Sequence, residues 1–117
     1  MAFSRAHALR AFGIALAILT LACAAPVVPA VTPADAQRAQ QRWPGTDVAQ
    51  LERGRALFMD RCSACHVPPS PSSLPADQWH AQVEEMQVRA GLEPPQAELV
   101  ERYLVTMATQ VSPAKQP

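Results

Sequence analysis

Aromatic side chains make up only 5 % of the 117 residues, and ten Lys plus Arg balance ten Asp plus Glu. Stacking platforms and a basic footprint are both missing, so nucleic-acid binding has no support. Lysine is scarcer still. Lys115 is the sole one, which leaves no lysine-rich docking face and makes any positive surface an arginine one. Length sets a further limit, because a dinucleotide fold, a TIM barrel or an α/β hydrolase needs several times as much ordered chain. One small domain is the most these residues can build.

Long apolar runs are missing too. Residues 11–22 carry no charge and follow Arg5, His7 and Arg10 with no acid among them. This is the pattern of an export leader, and as a helix the run rises about 18 Å, short of the roughly 30 Å hydrocarbon core. Ala22-Cys23-Ala24 has the small-x-small form for cleavage after Ala24, with Ala34-Asp35-Ala36 as a later alternative. Cys23 has two open fates: loss with the leader, or lipid modification as the first residue of a mature lipoprotein. The approach Leu21-Ala22 suits the second and Thr20 departs from it. Membrane attachment is expected only if Cys23 is lipidated.

Removing residues 1–24 takes away two arginines and no acid, leaving eight basic against ten acidic groups, a formal charge of −2. Residues 25–45 hold Pro26, Pro29, Pro33 and Pro44 among Ala, Gln and Thr, a composition read as an extended linker. The ordered domain is expected at 46–110 and a frayed tail at 111–117.

Within that domain the periodicity predicts three helices and no strand. The first spans about 47–61 from an N-cap at Thr46 or Asp47, with Leu51, Gly54 and Phe58 on one face. A glycine inside a helix costs about 1 kcal/mol relative to alanine, which points to a close crossing by another helix at Gly54. Pro68, Pro69, Pro71 and Pro75 exclude regular structure before the second helix, read over 75–90 with Trp79, Val83, Met86 and Ala90 in one stripe and Gly91 as its stop. The third begins after Pro94-Pro95 and runs to about Thr109, with Leu99, Val100, Tyr103, Leu104 and Met107 apolar. Roughly 65 ordered residues rarely supply more than about 3–5 kcal/mol of core stability, so something else is expected to fill the middle.

Cys62-Ser63-Ala64-Cys65-His66 is the pattern C-x-x-C-H, in which two thiols add across the vinyl groups of haem and the adjacent imidazole reaches the iron. The rival readings explain less. A redox C-x-x-C belongs to a strand-helix context. A zinc site needs two more ligands. A disulfide leaves His66 and the missing core unexplained. One covalent haem c per chain follows.

With Gly54 and Phe58 before the motif and Leu99-Val100-Glu101-Arg102-Tyr103-Leu104 after it, the sequence resembles the mono-haem class I c-type cytochromes over residues 47–109. The resemblance implies a small all-α cytochrome c-like fold of about three helices wrapped around the haem. It also implies periplasmic maturation and one-electron transfer, with Cys62, Cys65 and His66 binding the cofactor. Opposite His66 that family's usual ligand is a thioether, and Met86, which lies between the motif and the last helix and shares a face with Trp79, is the choice. Met59 stands too close to the motif in sequence, Met107 sits where packing is ordinary, and His80 is the runner-up ligand. The resemblance also gives the second ring nitrogen of His66 a proline carbonyl, that of Pro71 or Pro75. Trp79 is read as a cofactor-contacting or core side chain, and Arg61 and Arg89 as solvated charges.

The function expected is that of a carrier, not an enzyme, meeting redox partners transiently through its haem edge or serving as the haem subunit of a dehydrogenase. The alternative is a haem-based sensor or ligand-binding protein with a displaceable sixth ligand.

Overall fold

Each long helix starts where the sequence supplies its own stop for orphaned N–H groups. In the computed structural model, which describes residues 28–109, the helices are α1 Pro33–Gln40, α2 Val48–Cys62, α3 Trp79–Gln87 and α4 Pro94–Ala108. Short 3-10 turns at Pro71–Ser73 and Ala76–Gln78 complete the regular structure, and no strand occurs among the described residues. The all-α class is therefore the observed one. The segments read as a leader, 1–24 with Cys23, and as a tail, 111–117, lie outside the described residues. Among those described, no helix is long and apolar enough to cross a membrane.

At the head of α2, Asp47 accepts the Gln50 N–H at 2.7 Å and donates its own N–H to the Gln50 side chain at 3.3 Å, a reciprocal cap. Pro94 and Pro95 open α4, with the Glu93 N–H bound to Gln96 Oε1 at 2.9 Å. The second expected helix is shorter than its sequence pattern. Pro75 is extended at ψ 147°, Gln78 offers no side-chain cap, and the first turn closes as a 3-10 turn before α3 begins. At the far end, Gly91 takes a φ of +61°, and the Leu92 N–H returns to the Gln87 carbonyl at 3.0 Å, so the chain leaves α3 through a left-handed residue as expected.

The reading of 25–45 as an extended linker is corrected where the residues are described. Thr32 and Asp35 form a capping box around Pro33, which starts α1. Ala36 and Ala39 are buried with Leu51 in a small second core beside Trp43. Upstream, the Pro29 carbonyl accepts from Tyr103 Oη at 2.7 Å and Arg55 Nε at 3.0 Å, while the Val31 N–H donates to Glu52 at 3.0 Å. Composition misled here because Ala, Gln and Pro give almost no apolar stripe, whereas short side chains and one good cap suffice for a helix lying on two others.

The central joint is the crossing of α2 and α4. A Cβ on Gly54 would lie 2.1 Å from the Leu99 carbonyl oxygen, so only hydrogen there lets the two backbones meet. One turn on, Phe58 faces Tyr103 with ring centroids 6.2 Å apart. The close crossing expected at Gly54 is thus present. It leaves α3 and the 63–78 loop to close off the remaining side.

Candidate functional site

Helix α2 ends at Cys62, and the chain then turns through Ser63 and Ala64. That short turn brings Cys65 and His66 to the same cavity as Cys62, an opening of about 490 Å³, within the roughly 300–1,000 Å³ usual for small-molecule and cofactor sites. Its walls are apolar and come from every neighbouring element: Phe58 from α2, Leu74 from the loop, Trp79, Val83 and Met86 from α3, and Val100 and Leu104 from α4. The core that the helices leave unfilled is this space.

Both cysteines carry free thiols, Cys62 half-buried and Cys65 exposed. Burial pushes the Cys62 thiol above its ordinary value, so it stays neutral at pH 7. A dithiol redox site works through an accessible thiolate, which the half-buried Cys62 does not offer. Zinc fares no better, since no group of three or more His, Cys, Asp or Glu residues that could hold a metal occurs among the described residues. Two thiols a helical turn apart, one imidazole and an apolar void fit a covalently held haem, which supplies its own planar ligand set and needs only axial donors from the chain.

His66 is exposed, and its Nδ1 lies 2.9 Å from the Val67 carbonyl oxygen. A carbonyl only accepts, so Nδ1 carries the proton and Nε2 keeps its lone pair for a metal. The expected proline acceptor is therefore corrected. Pro71 gives its carbonyl to Trp79 Nε1 at 2.9 Å in a buried bond, because a buried indole N–H requires a partner. The next residue in the chain serves His66 instead. The same bond ties Trp79, in the cavity wall, to the loop that carries the motif.

Of the sulfur candidates for the sixth position, only Met86 lines the cavity. Met59 is 42 % exposed on the outer face of α2, and Met107 is packed in the core at 2 % exposure. His80 points elsewhere: it hydrogen-bonds Glu101 at 3.0 Å along a separate groove between α3 and α4. Glu101 raises its pKa by that bond first and by charge second. Arg61 and Arg89, read from the sequence as solvated charges, both line the cavity, and Arg61 also meets the exposed Asp60 at 3.1 Å. The wall residues Leu92, Val100 and Leu104 and the polar Gln82 were not singled out as site residues in the sequence; the apolar stripes of the last two helices were the available signal.

An all-helical chain whose C-x-x-C-H motif opens into an apolar cavity defines a c-type cytochrome. Residues 58–117, just over half of the chain, match the model of the family described as dihaem cytochrome c, and the chain belongs to that family. No curated protein and no solved structure matches it. The family is named for two haems, whereas of the three cysteines within these 117 residues two, Cys62 and Cys65, form the one C-x-x-C-H motif. The narrower mono-haem class I resemblance therefore does not carry over from the match.

Proposed function

We propose that the chain is a periplasmic one-electron carrier for a single haem, which Cys62 and Cys65 would hold covalently and whose iron His66 and Met86 would ligate. The observation that carries this reading is the convergence of Cys62, Cys65, His66 and one thioether, Met86, on one cavity. Bound there, haem supplies an iron that gains and loses one electron. The chain's own part is to exclude water with Phe58, Trp79 and Leu104, to fix the His66 tautomer through Val67, and to present a soft donor from α3. A Met donor together with His would favour the ferrous state and so a raised potential. The export leader at 1–24 supports the periplasmic location, and the mature domain is read as residues 46–110 with the folded 28–45 segment added to it.

Intact mass of the protein exported by a host that matures c-type haem tests the reading: the expected gain is the mass of one haem after loss of the leader. A gain of two haems overturns the single-haem count, and a colourless folded product overturns the proposal. Met86→Ala is expected to abolish the long-wavelength sulfur-to-iron charge-transfer band and to open the ferrous form to carbon monoxide. Tight carbon monoxide binding by the unmodified protein would instead favour the sensor reading.

A further inference from the structure

Every polar side chain of the cavity wall but one has an evident place. Cys62, Cys65 and His66 belong to the motif. Arg61 meets Asp60 at 3.1 Å, Ser73 lies exposed in the loop, and Arg89 is exposed beyond the last residue of α3. Gln82 is the exception. It is half-buried within α3, and its amide has no hydrogen-bond partner among the described residues.

Helical spacing sets what that amide can reach. Gln82 and Met86 stand four residues apart on α3, so their side chains are neighbours on one face, with Cβ atoms about 5–6 Å apart, and both line the cavity. Trp79 and Val83, in the same wall, are buried and give the amide no acceptor; the indole N–H is itself a donor, bound to the Pro71 carbonyl at 2.9 Å. A primary amide carries two N–H donors, and leaving them unpaired against apolar neighbours costs free energy. An acceptor inside the cavity removes that cost.

We propose that Gln82 is the specificity-determining donor of the sixth coordination position. Its amide donates a hydrogen bond to the group held there, and so favours, among outside ligands that displace Met86, small anions with an accepting far atom over apolar diatomics. This rests on the reading of Met86 as the sixth ligand and adds the chemistry that competes with it. In the unmodified protein the acceptor is the Met86 sulfur, a weak one; the bond draws electron density from the thioether and favours the ferrous state. With the sulfur gone, an anion such as azide offers its terminal nitrogen to the same N–H, a charge-assisted and therefore stronger bond. Only coordination and hydrogen bonds change, and no electron or proton is exchanged.

The test uses the haem-loaded Met86→Ala protein, with azide as probe of the ferric form and carbon monoxide, a far weaker acceptor, as probe of the ferrous form, both followed by optical titration. Adding Gln82→Leu, which keeps the bulk and removes the amide, is expected to weaken azide about tenfold and to leave carbon monoxide affinity within about twofold. Gln82→Glu, an acceptor of the same size, is expected to weaken azide further. Arg89→Leu removes a more distant, solvated charge and is expected to cost less than about threefold. In the otherwise unmodified protein, Gln82→Leu is expected to lower the midpoint potential. Azide affinity within twofold of that of Met86→Ala, an equal loss for carbon monoxide, a loss in Arg89→Leu as large as in Gln82→Leu, or an unchanged midpoint potential each overturns the assignment. If Met86→Ala leaves the spectrum and azide affinity of the unmodified protein unchanged, the axial-ligand reading fails instead, and the azide ratio at Gln82, which needs no methionine, still judges the donor.

Discussion

Where α2 crosses α4, backbone lies against backbone at Gly54 and Leu51, Phe58 and Tyr103 are sealed from water. On the other side of Phe58 the same two helices, with α3 and the 63–78 loop, line an opening of about 490 Å³ and leave Cys65, His66 and Val67 exposed. One half of the domain is closed by its own side chains and the other is shaped for a guest. The difference teaches where stability and function reside. The crossing is a protein-only joint, while the cavity half gains its remaining apolar contacts from the group it holds, so folding and cofactor capture are linked.

The sharpest way to break this comparison is at Gly54. A valine there must displace the Leu99 carbonyl, and Gly54→Val is expected to destabilise the haem-loaded protein by about 3 kcal/mol or more, read as a fall in the urea midpoint. A cost below 1 kcal/mol would mean that the crossing is not the joint described. On the cavity side, Trp79→Phe keeps an aromatic but smaller ring and leaves the buried Pro71 carbonyl without the indole N–H, with an expected cost of at least about 1–2 kcal/mol. Amide exchange should accelerate in the loop around Pro71 while the α2–α4 amides keep their protection. Equal loosening of both halves would erase the distinction.

The smallest effect sharpens the closed side. Burial pushes the Tyr103 hydroxyl up to about 12, above the unfolded value near 10. A raised value in the folded state means that the stabilisation is present below pH 10 and drains away as pH climbs from 10 toward 12. Tyr103→Phe is expected to cost about 1 kcal/mol at pH 7 and to remove that alkaline decline in urea titrations. Persistence of the decline in the variant would assign it to another group.

Much of this architecture was legible because its causes are local. Asp47, Pro94, Pro95 and Gly91 mark ends by caps and backbone preference, and Gly54 announces the crossing by being a poor helix former in an otherwise good helix. The C-x-x-C-H spacing announces the cavity's chemistry in the same way. What stayed hidden depends on partners far along the chain. The strap at 28–31 is held by Tyr103, Arg55 and Glu52, and no pattern within the strap states that. The Pro71 carbonyl had two claimants, and only the packing of Trp79 into the wall decided between them. The α1 segment was missed for the opposite reason: its signal was local, the Thr32-Asp35 box, but composition outweighed it.

The tethering of Pro29 to Tyr103 and Arg55 has a mechanical consequence. Tension arriving from the upstream chain enters the domain through that carbonyl and is borne by α2 and α4 at their tightest joint, and among the described residues none before Phe58 lines the cavity. A tug at the amino-terminal side is therefore absorbed before it reaches the C-x-x-C-H loop, leaving the cavity walls undisturbed.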